Sequence, residues 1–441
     1  MTAKNDGQFG KNLRELGRWF KPGLGVKRWY LFILAGVTLL GVGLAIFLLD
    51  LYRTDSTNPF LLTLLSLASL RFLPRLARVI IFGGIGVGLV TYGIYRLNRS
   101  LLRPYVRPGG RAVVDELADF RLRERGPRIV AVGGGHGQAT LLRGLKLYTR
   151  NLTAVVTVAD DGGSSGRLRE SFGILPPGDI RNCLAALSND EQMLTQLFQY
   201  RFSGSGNLDG HSFGNLFITA LADITGSFEG AVAESGRVLS VSGRVLPSTL
   251  HDVRLVADMQ LPDSVNQVRV EGESRIPQMA GRVRHVWLEP NDAPAYPPVI
   301  KAILNADMIV VGPGSLFTSI LPNLLVHDLL GAVRASRAVK VYICNIVTQA
   351  GETDDFSCYD HVRALEEHVG DRVFDVLLCN DNFRGQLNEG DQWVPIDDRT
   401  RHDYRSHFAD LIKDGQPWRH DPVKLAGALN EILAEFTGPL E

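Results

Sequence analysis

Cysteine is scarce in this chain of 441 residues, which contains only four, Cys183, Cys344, Cys358 and Cys379. No two of them form a C-x-x-C pair, so the spacing typical of a structural zinc site or a thioredoxin-type motif is missing. Small secreted chains with disulfide frameworks have far more cysteine for their length. We therefore expect four buried free thiols in a reducing compartment.

Two motifs that would identify common enzyme classes are also missing. The sequence has no G-x-x-x-x-G-K-[ST] loop and no H-E-x-x-H helix. These motifs mark P-loop NTPases and zinc metalloproteases, because they supply the phosphate cradle and the zinc ligands. The sequence also has no obvious internal repeat, which argues against a solenoid.

Net charge is absent as well, since 47 Lys and Arg balance 47 Asp and Glu. The balance hides an asymmetry: residues 1–111 contain 16 basic and 4 acidic residues, so the remainder has an equal excess of acid. Phosphate backbones require a basic face. The acidic part therefore lacks the composition of a nucleic-acid-binding protein, whereas the basic part resembles a membrane segment.

Two uncharged apolar runs, 29–49 and 79–95, lie in the basic part. A helix needs about 20 apolar residues to cross the hydrocarbon core, so both are predicted spans. Basic residues concentrate before the first run and after the second, which favours a hairpin with both ends in the cytoplasm. A cleaved signal peptide is the alternative for the first run. The predicted organisation is a basic segment (1–28), a membrane hairpin (29–95), a linker (96–126) and a cytoplasmic domain (127–441).

Short apolar runs alternate with helical patterns from residue 128 onwards. Strands are predicted at 128–133, 152–159, 253–259, 285–288, 308–312, 340–346 and 374–379, and helices at 138–148, 179–188, 191–200, 214–224, 228–239, 297–304, 359–368 and 422–436. This alternation predicts a Rossmann-like α/β fold, a mostly parallel sheet with helices on both faces. Ligands of such sheets bind at the carboxyl ends of the strands.

A glycine loop, 133–137, follows the first predicted strand and opens a helix. Glycines let the backbone approach a phosphate, and the helix start presents N–H groups to it. The G-x-G-x-x-G fingerprint is incomplete, because Gln138 or Thr140 stands where its last glycine would be. The loop therefore predicts a phosphate site more firmly than a dinucleotide site.

Polar loops follow several other predicted strands or open helices. Asp160 and Asp161 end the second strand, where acids hold ribose hydroxyls or Mg²⁺, and the stretch after them suits a flexible anion-binding loop. Asp179 is a candidate N-cap, with Arg181 facing outwards from the same turn. The predicted ligand-binding residues are Gly134, Gly135, His136, Gly137, Asp160, Asp161, Gly162, Ser164, Arg181, Asn182, His211, Asn215, Gly312, Gly314, Ser315, Asn345 and Thr348.

Six of these motifs stand in the order found in the YvcK-like gluconeogenesis factors, which are related to the CofD 2-phospho-lactate transferases. The resemblance covers residues 128–436 and rests on the segments 133–137, 159–169, 176–182, 211–216, 312–319 and 348–353. It implies that the chain binds a UDP-sugar, notably UDP-N-acetylglucosamine, and is needed for cell shape and wall synthesis during gluconeogenic growth. No reaction is firmly assigned to this group.

The resemblance also implies roles for individual residues. Gly134, Gly135 and Gly137 would line the diphosphate, Asp160 and Asp161 the nucleotide or a metal, and Asn215, Gly314 and Ser315 the ligand. Three hypotheses stay open: a membrane-tethered nucleotide-sugar-binding regulator, a CofD-like Mg²⁺-dependent transferase, and an NAD-dependent oxidoreductase. A binding protein is favoured over a catalyst, and the sequence leaves the oligomeric state open, a homo-oligomer included.

Overall fold

The computed structural model describes residues 113–438 except 190, 205, 262–265, 280 and 371, together with isolated positions between 34 and 91. The chain divides into two compact units, Met1–Leu122 and Arg123–Glu441. Most of the predicted membrane hairpin, 29–95, lies outside the described residues. Among the residues that are described, no single helix is long and apolar enough to cross a bilayer. Two pairs of consecutive helices meet these limits when the helices of a pair are taken together, but each pair is sharply bent.

Helices and strands alternate along the described chain, in the order α1 (Val113–Glu124), β1 (Ile129–Gly133), α2 (Gly135–Leu145), β2 (Leu152–Val156), α3 (Gly163–Phe172), α4 (Gly178–Leu187), α5 (Glu191–Gln199), α6 (Phe213–Thr225), α7 (Phe228–Val238), β3 (Arg244–Pro247), β4 (Arg254–Gln260), β5 (Gln267–Glu271), β6 (Arg282–Glu289), α8 (Pro297–Leu304), β7 (Met308–Val311), α9 (Leu321–Leu324), α10 (His327–Ala335), β8 (Val339–Ile343), α11 (Cys358–Val369), β9 (Val376–Asn380), α12 (Asp398–Asp403), β10 (Ser406–Ala409), β11 (Ile412–Lys413), β12 (Gln416–His420) and α13 (Pro422–Thr437). A 3-10 turn, Ile276–Gln278, precedes β6, and a π-helical turn, Leu316–Ile320, precedes α9.

A seven-stranded sheet organises the second unit, with strand order β10-β9-β8-β7-β1-β2-β3. Every neighbouring pair in it is parallel. Strands β1, β2, β7 and β9 are buried along their whole length, because helices flank the sheet, and this explains their unbroken apolar sequences. The predicted α/β fold is confirmed. Strand order reverses between β1 and β7, which is where ligands of such sheets bind.

Two predicted strands do not belong to the large sheet. Residues 253–259 and 285–288 correspond to β4 and β6, which form a separate antiparallel sheet of order β5-β4-β6. Strand β6 has buried and exposed positions interspersed, as expected for a sheet with one exposed face. The prediction missed β3, because four residues at the sheet edge give too short an apolar run.

The stretch after Asp161, predicted as a flexible loop, is instead the first turn of α3. Gly162 is the N-cap and Gly163 has a φ of 48°, a left-handed conformation that favours glycine. Other predictions at this level are confirmed. Asp421 caps α13 by accepting N–H groups of Val423 and Lys424, and the four cysteines are free and buried.

Candidate functional site

The glycine loop after β1 packs closely against neighbouring elements of the site. A Cβ on Gly134 would lie 2.6 Å from Asp179 Oδ2, and one on Gly137 would lie 2.3 Å from the Pro313 carbonyl oxygen. Gly135 has a φ of 65°. Only glycine fits at these positions, since α4 and the loop after β7 pack against the backbone itself. The N-cap residue of α2, Gly134, has no side chain to cap the helix, and the Asp179 carboxyl accepts the N–H of the first helical residue, Gly135.

Gln138 takes the position of the missing third glycine. Its side chain is fully buried, and Nε2 donates to the Ala131 carbonyl on β1 and the Val155 carbonyl on β2, each at 2.9 Å. The Cys183 thiol contacts Oε1 at 3.4 Å. Helix α2 is thus held to the sheet by a side chain that bridges two strands, in place of the close backbone packing that a glycine allows.

The loop after β7 meets the glycine loop across the point where the strand order reverses. Gly312 has a φ of 85°. The Gly314 N–H donates to Asn345 Oδ1 at 3.2 Å, and Asn345 Nδ2 donates back to the Gly314 carbonyl at 2.9 Å. Gln349 Nε2 donates to Ser315 Oγ at 2.9 Å. The loops after β7 and β8 therefore form one hydrogen-bonded wall of the crevice.

Glu352 is a buried residue that the sequence analysis missed. Its carboxylate accepts the Phe317 N–H at 3.2 Å and the Thr318 hydroxyl at 3.0 Å, at the start of the π-helical turn. This carboxylate occupies the position that an anion would take there. Thr348, predicted to contact ligand, is buried and its N–H donates to the Gln392 carbonyl.

Asp160 and Asp161 lie at the end of β2, as predicted. Asp160 Oδ1 accepts the Gly162 N–H at 2.9 Å, and Asp161 Oδ1 accepts the Ser274 N–H at 2.8 Å. Burial raises the pKa of Asp160. Among the residues that the structure describes, no group of three or more His, Cys, Asp or Glu could hold a metal ion. The two aspartates fit a Mg²⁺ only if ligand and water oxygens complete its shell.

Asp179 was predicted as a candidate N-cap of α4, but Pro177 occupies the N-cap position. The Asp179 carboxyl instead accepts the Gly135 N–H across the crevice. Burial, reinforced by the negative charge of Asp160, raises the pKa of Asp179 to about 6. The carboxyl therefore links α4 to the glycine loop and is half protonated near pH 6.

Arg181 was predicted to face outwards, but its side chain is buried, with 7% exposed. Its NH1 donates to Ser212 and Asn215, and its NH2 donates to Asn182 Oδ1 at 2.9 Å. The Nε atom has no hydrogen-bond partner. A buried guanidinium whose hydrogen-bond partners are all neutral has unused capacity for an anion. The reason for its burial is that α6 packs directly against α4 here: a Cβ on Gly214 would lie 2.7 Å from Arg181 Cδ.

Ser164, His211 and Asn215 form one hydrogen-bonded group with this arginine. Ser164 Oγ lies 3.1 Å from His211 Nδ1 and accepts Asn215 Nδ2 at 3.0 Å. The Asn215 amide donates a hydrogen bond to Ser164 Oγ. The Ser164 hydroxyl is therefore free to donate its own hydrogen bond to the ring nitrogen of a neutral His211. His211 therefore orients the Ser164 hydroxyl, and Ser212 rather than His211 caps the following helix.

His136, in the first turn of α2, is a residue on which several positive charges act. Burial lowers its pKa, and the charges of four arginines lower it further: Arg419, Arg181, Arg143 and Arg201. The sequence analysis named only one of these, because they come from separate elements. Four guanidinium groups thus act on His136 beside the glycine loop, although the domain as a whole is acidic.

A separate cavity of about 380 Å³ lies between α7 and β3. Its lining is mostly apolar, includes Leu184, Val232 and Tyr296, and contains none of the predicted ligand residues. The cavity is thus separate from the candidate site, because neither glycine loop lines it and neither Asp160, Asp161 nor Asp179 does.

Comparison with known proteins identifies the family of the chain. Residues 129–412 match the model of the 2-phospho-L-lactate transferase CofD family. A gluconeogenesis factor of Bacillus subtilis is 44% identical over 320 residues, covering 70% of this chain and 99% of that protein. A crystal structure of a member of the UPF0052 family from Bacillus halodurans has 40% identity and a TM-score of 0.65, covering 69% of this chain and 99% of that chain.

The similarity to one relative extends beyond the domain on which the predicted resemblance rested. A relative from Deinococcus radiodurans is 39% identical over 433 residues, covering 96% of this chain and 90% of that protein. The matched region therefore includes much of the basic N-terminal part. Family model, relatives and fold agree, and the chain belongs to the CofD family, in the group of the YvcK-like gluconeogenesis factors.

Proposed function

We propose that this chain binds a nucleotide diphosphate sugar similar to UDP-N-acetylglucosamine and acts as a regulator of cell shape and wall synthesis during gluconeogenic growth. The observation that carries the proposal is the meeting of two glycine loops where the strand order reverses, between β1 and β7. The remaining N–H groups in the first turn of α2, beyond the Gly135 N–H that Asp179 accepts, and the buried Arg181 would supply donors for a diphosphate.

Calorimetric titration of the purified full-length chain with UDP-N-acetylglucosamine tests this proposal. We expect saturable binding that weakens at least about tenfold in Arg181→Gln, because a charge-assisted contact to phosphate contributes about 1.5–3 kcal/mol. Arg363→Gln is the control, since Arg363 lies on α11 and pairs with Glu366 and Glu367. No binding at millimolar nucleotide would refute the proposal.

A Mg²⁺-dependent transferase is the second candidate. The specific observation in its favour is the pair of carboxylates at the end of β2, Asp160 and Asp161, in a chain of the CofD family. Mg²⁺ bound there would neutralise phosphate charge on a nucleotide donor. Transfer of a phosphate-bearing group from such a donor to a deazaflavin acceptor, abolished in Asp161→Asn, would support this function. An NAD-dependent oxidoreductase would instead bind NAD in preference to the UDP-sugar.

We also propose that residues 29–95 anchor the chain in the membrane as a two-span hairpin, with the nucleotide-binding domain in the cytoplasm. The support is in the sequence: two uncharged runs, and basic residues concentrated beyond their outer ends. An anchor would keep the ligand site near membrane-bound machinery for wall synthesis.

A further inference from the structure

The amino ends of the seven parallel strands lie along one edge of the large sheet, which we call the amino edge. It is opposite the edge that bears the candidate site. An arginine opens or shortly precedes six of the seven strands: Arg128 before β1, Arg150 before β2, Arg244 in β3, Arg337 before β8, Arg372 before β9 and Arg405 before β10. Because the strands are parallel, these residues lie on one side of the domain although they are distant in sequence.

The two edges of the sheet differ in charge. The first residue of each strand and the six residues before it together include eleven Lys and Arg and five Asp and Glu. The last residue of each strand and the six residues after it include two Lys and Arg and six Asp and Glu. Since the domain as a whole is acidic, the excess of basic residues at the amino edge is a local feature, and it favours an anionic partner.

Ion pairs neutralise only part of this charge. Arg128 pairs with Asp307, before β7, at 2.6 Å, and Arg405 pairs with Glu435 at 3.0 Å. Three further arginines of the amino edge are exposed: Arg244, Arg337 and Arg372. Because basic residues outnumber acidic ones about two to one here, the edge keeps a net positive charge.

Large apolar side chains are exposed on the same edge. Leu147, between α2 and β2, is 53% exposed, and Leu304, at the end of α8, is exposed as well. Phe436, near the end of α13, is also exposed, and the Arg405 guanidinium lies 4.2 Å from the centre of its ring. Apolar side chains among arginines are typical of a surface that contacts the headgroup region of a membrane. A nucleic-acid duplex would pair with the arginines and leave the apolar side chains in water.

A recess of about 410 Å³ opens at the starts of β9 and β10. Its lining consists of Arg372, Val373, Phe374, Asp375, Arg405 and Phe436. Guanidinium groups bind phosphate through paired N–H donors, and the apolar members would contact carbon atoms beside a phosphate. The recess therefore has the chemistry that a phospholipid headgroup requires.

The chain enters the second unit at the amino edge. Asn151, before β2, donates from Nδ2 to the carbonyls of Glu124 at 2.9 Å and Gly126 at 2.7 Å, just before β1. The predicted membrane spans precede this entry point, and residues 96–122 connect the second span to it. The amino edge is thus the side of the domain to which the predicted anchor is joined.

We propose that the amino edge lies against the anionic phospholipid headgroups of the membrane in which residues 29–95 are anchored. The inference rests on the proposed anchor and goes beyond it, because it assigns a surface of the folded domain to the membrane. The cytoplasmic leaflet has a negative surface potential that attracts basic surfaces. A contact too weak for an untethered domain becomes populated when the hairpin holds the domain near the bilayer. The candidate site, at the opposite edge, then faces the cytoplasm, where nucleotide can enter.

A fluorescent label on the full-length chain in lipid vesicles tests this inference. The four native cysteines are buried, so a thiol-reactive nitrobenzoxadiazole label reacts selectively with an introduced cysteine. The label is placed on Leu147→Cys at the amino edge, and the matched control is Phe383→Cys, which is 42% exposed and follows β9 at the opposite edge. Emission of this label rises when it enters the membrane interface.

We expect the emission at Leu147→Cys to be at least about twofold higher in phosphatidylcholine vesicles with about 30% phosphatidylglycerol than in phosphatidylcholine alone. The difference should disappear at about 0.5 M salt, because salt screens exposed charges. Emission at Phe383→Cys should be the same in both kinds of vesicle.

Charge variants show which arginines are responsible. With the label at residue 147, three substitutions at the amino edge should reduce the rise in emission at least about threefold: Arg244→Gln, Arg337→Gln and Arg372→Gln. The control removes the same charge from exposed positions on the small sheet and after β9: Arg254→Gln, Arg284→Gln and Arg384→Gln. It should keep the full rise.

Flotation of the full-length chain with the vesicles measures the anchor separately. If the chain floats with both kinds of vesicle but the two label positions respond alike, the inference about the amino edge is overturned and the proposed anchor stands. If the chain floats with neither, the anchor fails and the inference fails with it. A DNA duplex that raises the emission at residue 147 as strongly as anionic vesicles would show a general polyanion surface and would also overturn the assignment to lipid.

Discussion

At the scale of single residues, Gln138 shows how one side chain replaces a motif residue. Two main-chain carbonyls, on β1 and β2, accept from its amide inside the core. A departure from a sequence fingerprint is thereby compensated by two buried hydrogen bonds, and the glycine loop beside it keeps its geometry.

Gln138→Leu should lower the free energy of unfolding by about 1–3 kcal/mol, because it removes two buried hydrogen bonds that join α2 to the sheet. Urea unfolding measures this change. The control Gln267→Leu, at the exposed start of β5, should change stability by less than about 0.5 kcal/mol. Equal effects of the two substitutions would contradict the role assigned to Gln138.

The raised pKa of Asp179 predicts that the protein loses stability as the pH rises, which is the opposite of acid denaturation. Its pKa rises from 3.8 to about 6 on folding, so its contribution is present below pH 4 and is lost as pH rises through 6. Relative to Asp179→Asn, the wild type should lose up to about 3 kcal/mol of stability across this window. Denaturant unfolding at pH 4, 5, 6 and 7 measures the difference, and a difference that does not change with pH would contradict the assignment.

At the scale of structural elements, the start of α2 depends on a close approach to the loop after β7. Gly137→Ala would place a Cβ 2.3 Å from the Pro313 oxygen, and the backbone cannot yield as a flexible side chain would. We expect a loss of about 1–3 kcal/mol in stability and at least about tenfold weaker binding of UDP-N-acetylglucosamine.

Gly331→Ala is the matched control for this prediction. Gly331 lies in α10 with no atom within 4 Å of the added Cβ, so alanine should be neutral or stabilising by up to about 1 kcal/mol. Unfolding and titration of both variants separate the cost of the contact from the general effect of glycine replacement. If Gly137→Ala behaves like Gly331→Ala, helix α2 does not depend on this contact.

The elements also show which parts of the fold the sequence could predict. Buried parallel strands such as β1 and β7 were predicted because their apolar runs are continuous and end in glycine. Strand β3 was not predicted, because a short edge strand has too few apolar residues to form a recognisable pattern. The pairing of β4 with β6 was not predicted either, because the local sequence of a strand does not specify its partner.

The candidate site was predictable only in part for the same reason. Loops that directly follow strands, such as those with Gly134 and Gly314, were identified from sequence alone. Arg419 belongs to an element distant in the chain, and only the fold brings its charge near His136. Burial of Arg181 was missed because it depends on the packing of α6 against α4.

At the scale of the whole molecule, charge divides the chain into a basic N-terminal part and an acidic remainder. If residues 29–95 span the membrane as proposed, the full-length chain should sediment with membranes, and a chain starting at residue 113 should not. Ultracentrifugation of cell extracts, with extraction by detergent as a control against aggregation, measures this. Recovery of the full-length chain in the supernatant would contradict the anchor.

The central claim is that a diphosphate binds between the glycine loops of β1 and β7. A crystal structure of the chain with UDP-N-acetylglucosamine tests it most directly. The account predicts phosphoryl oxygens within about 3 Å of N–H groups in the first turn of α2 and of the Arg181 guanidinium. Nucleotide bound elsewhere, for example in the cavity between α7 and β3, would contradict it.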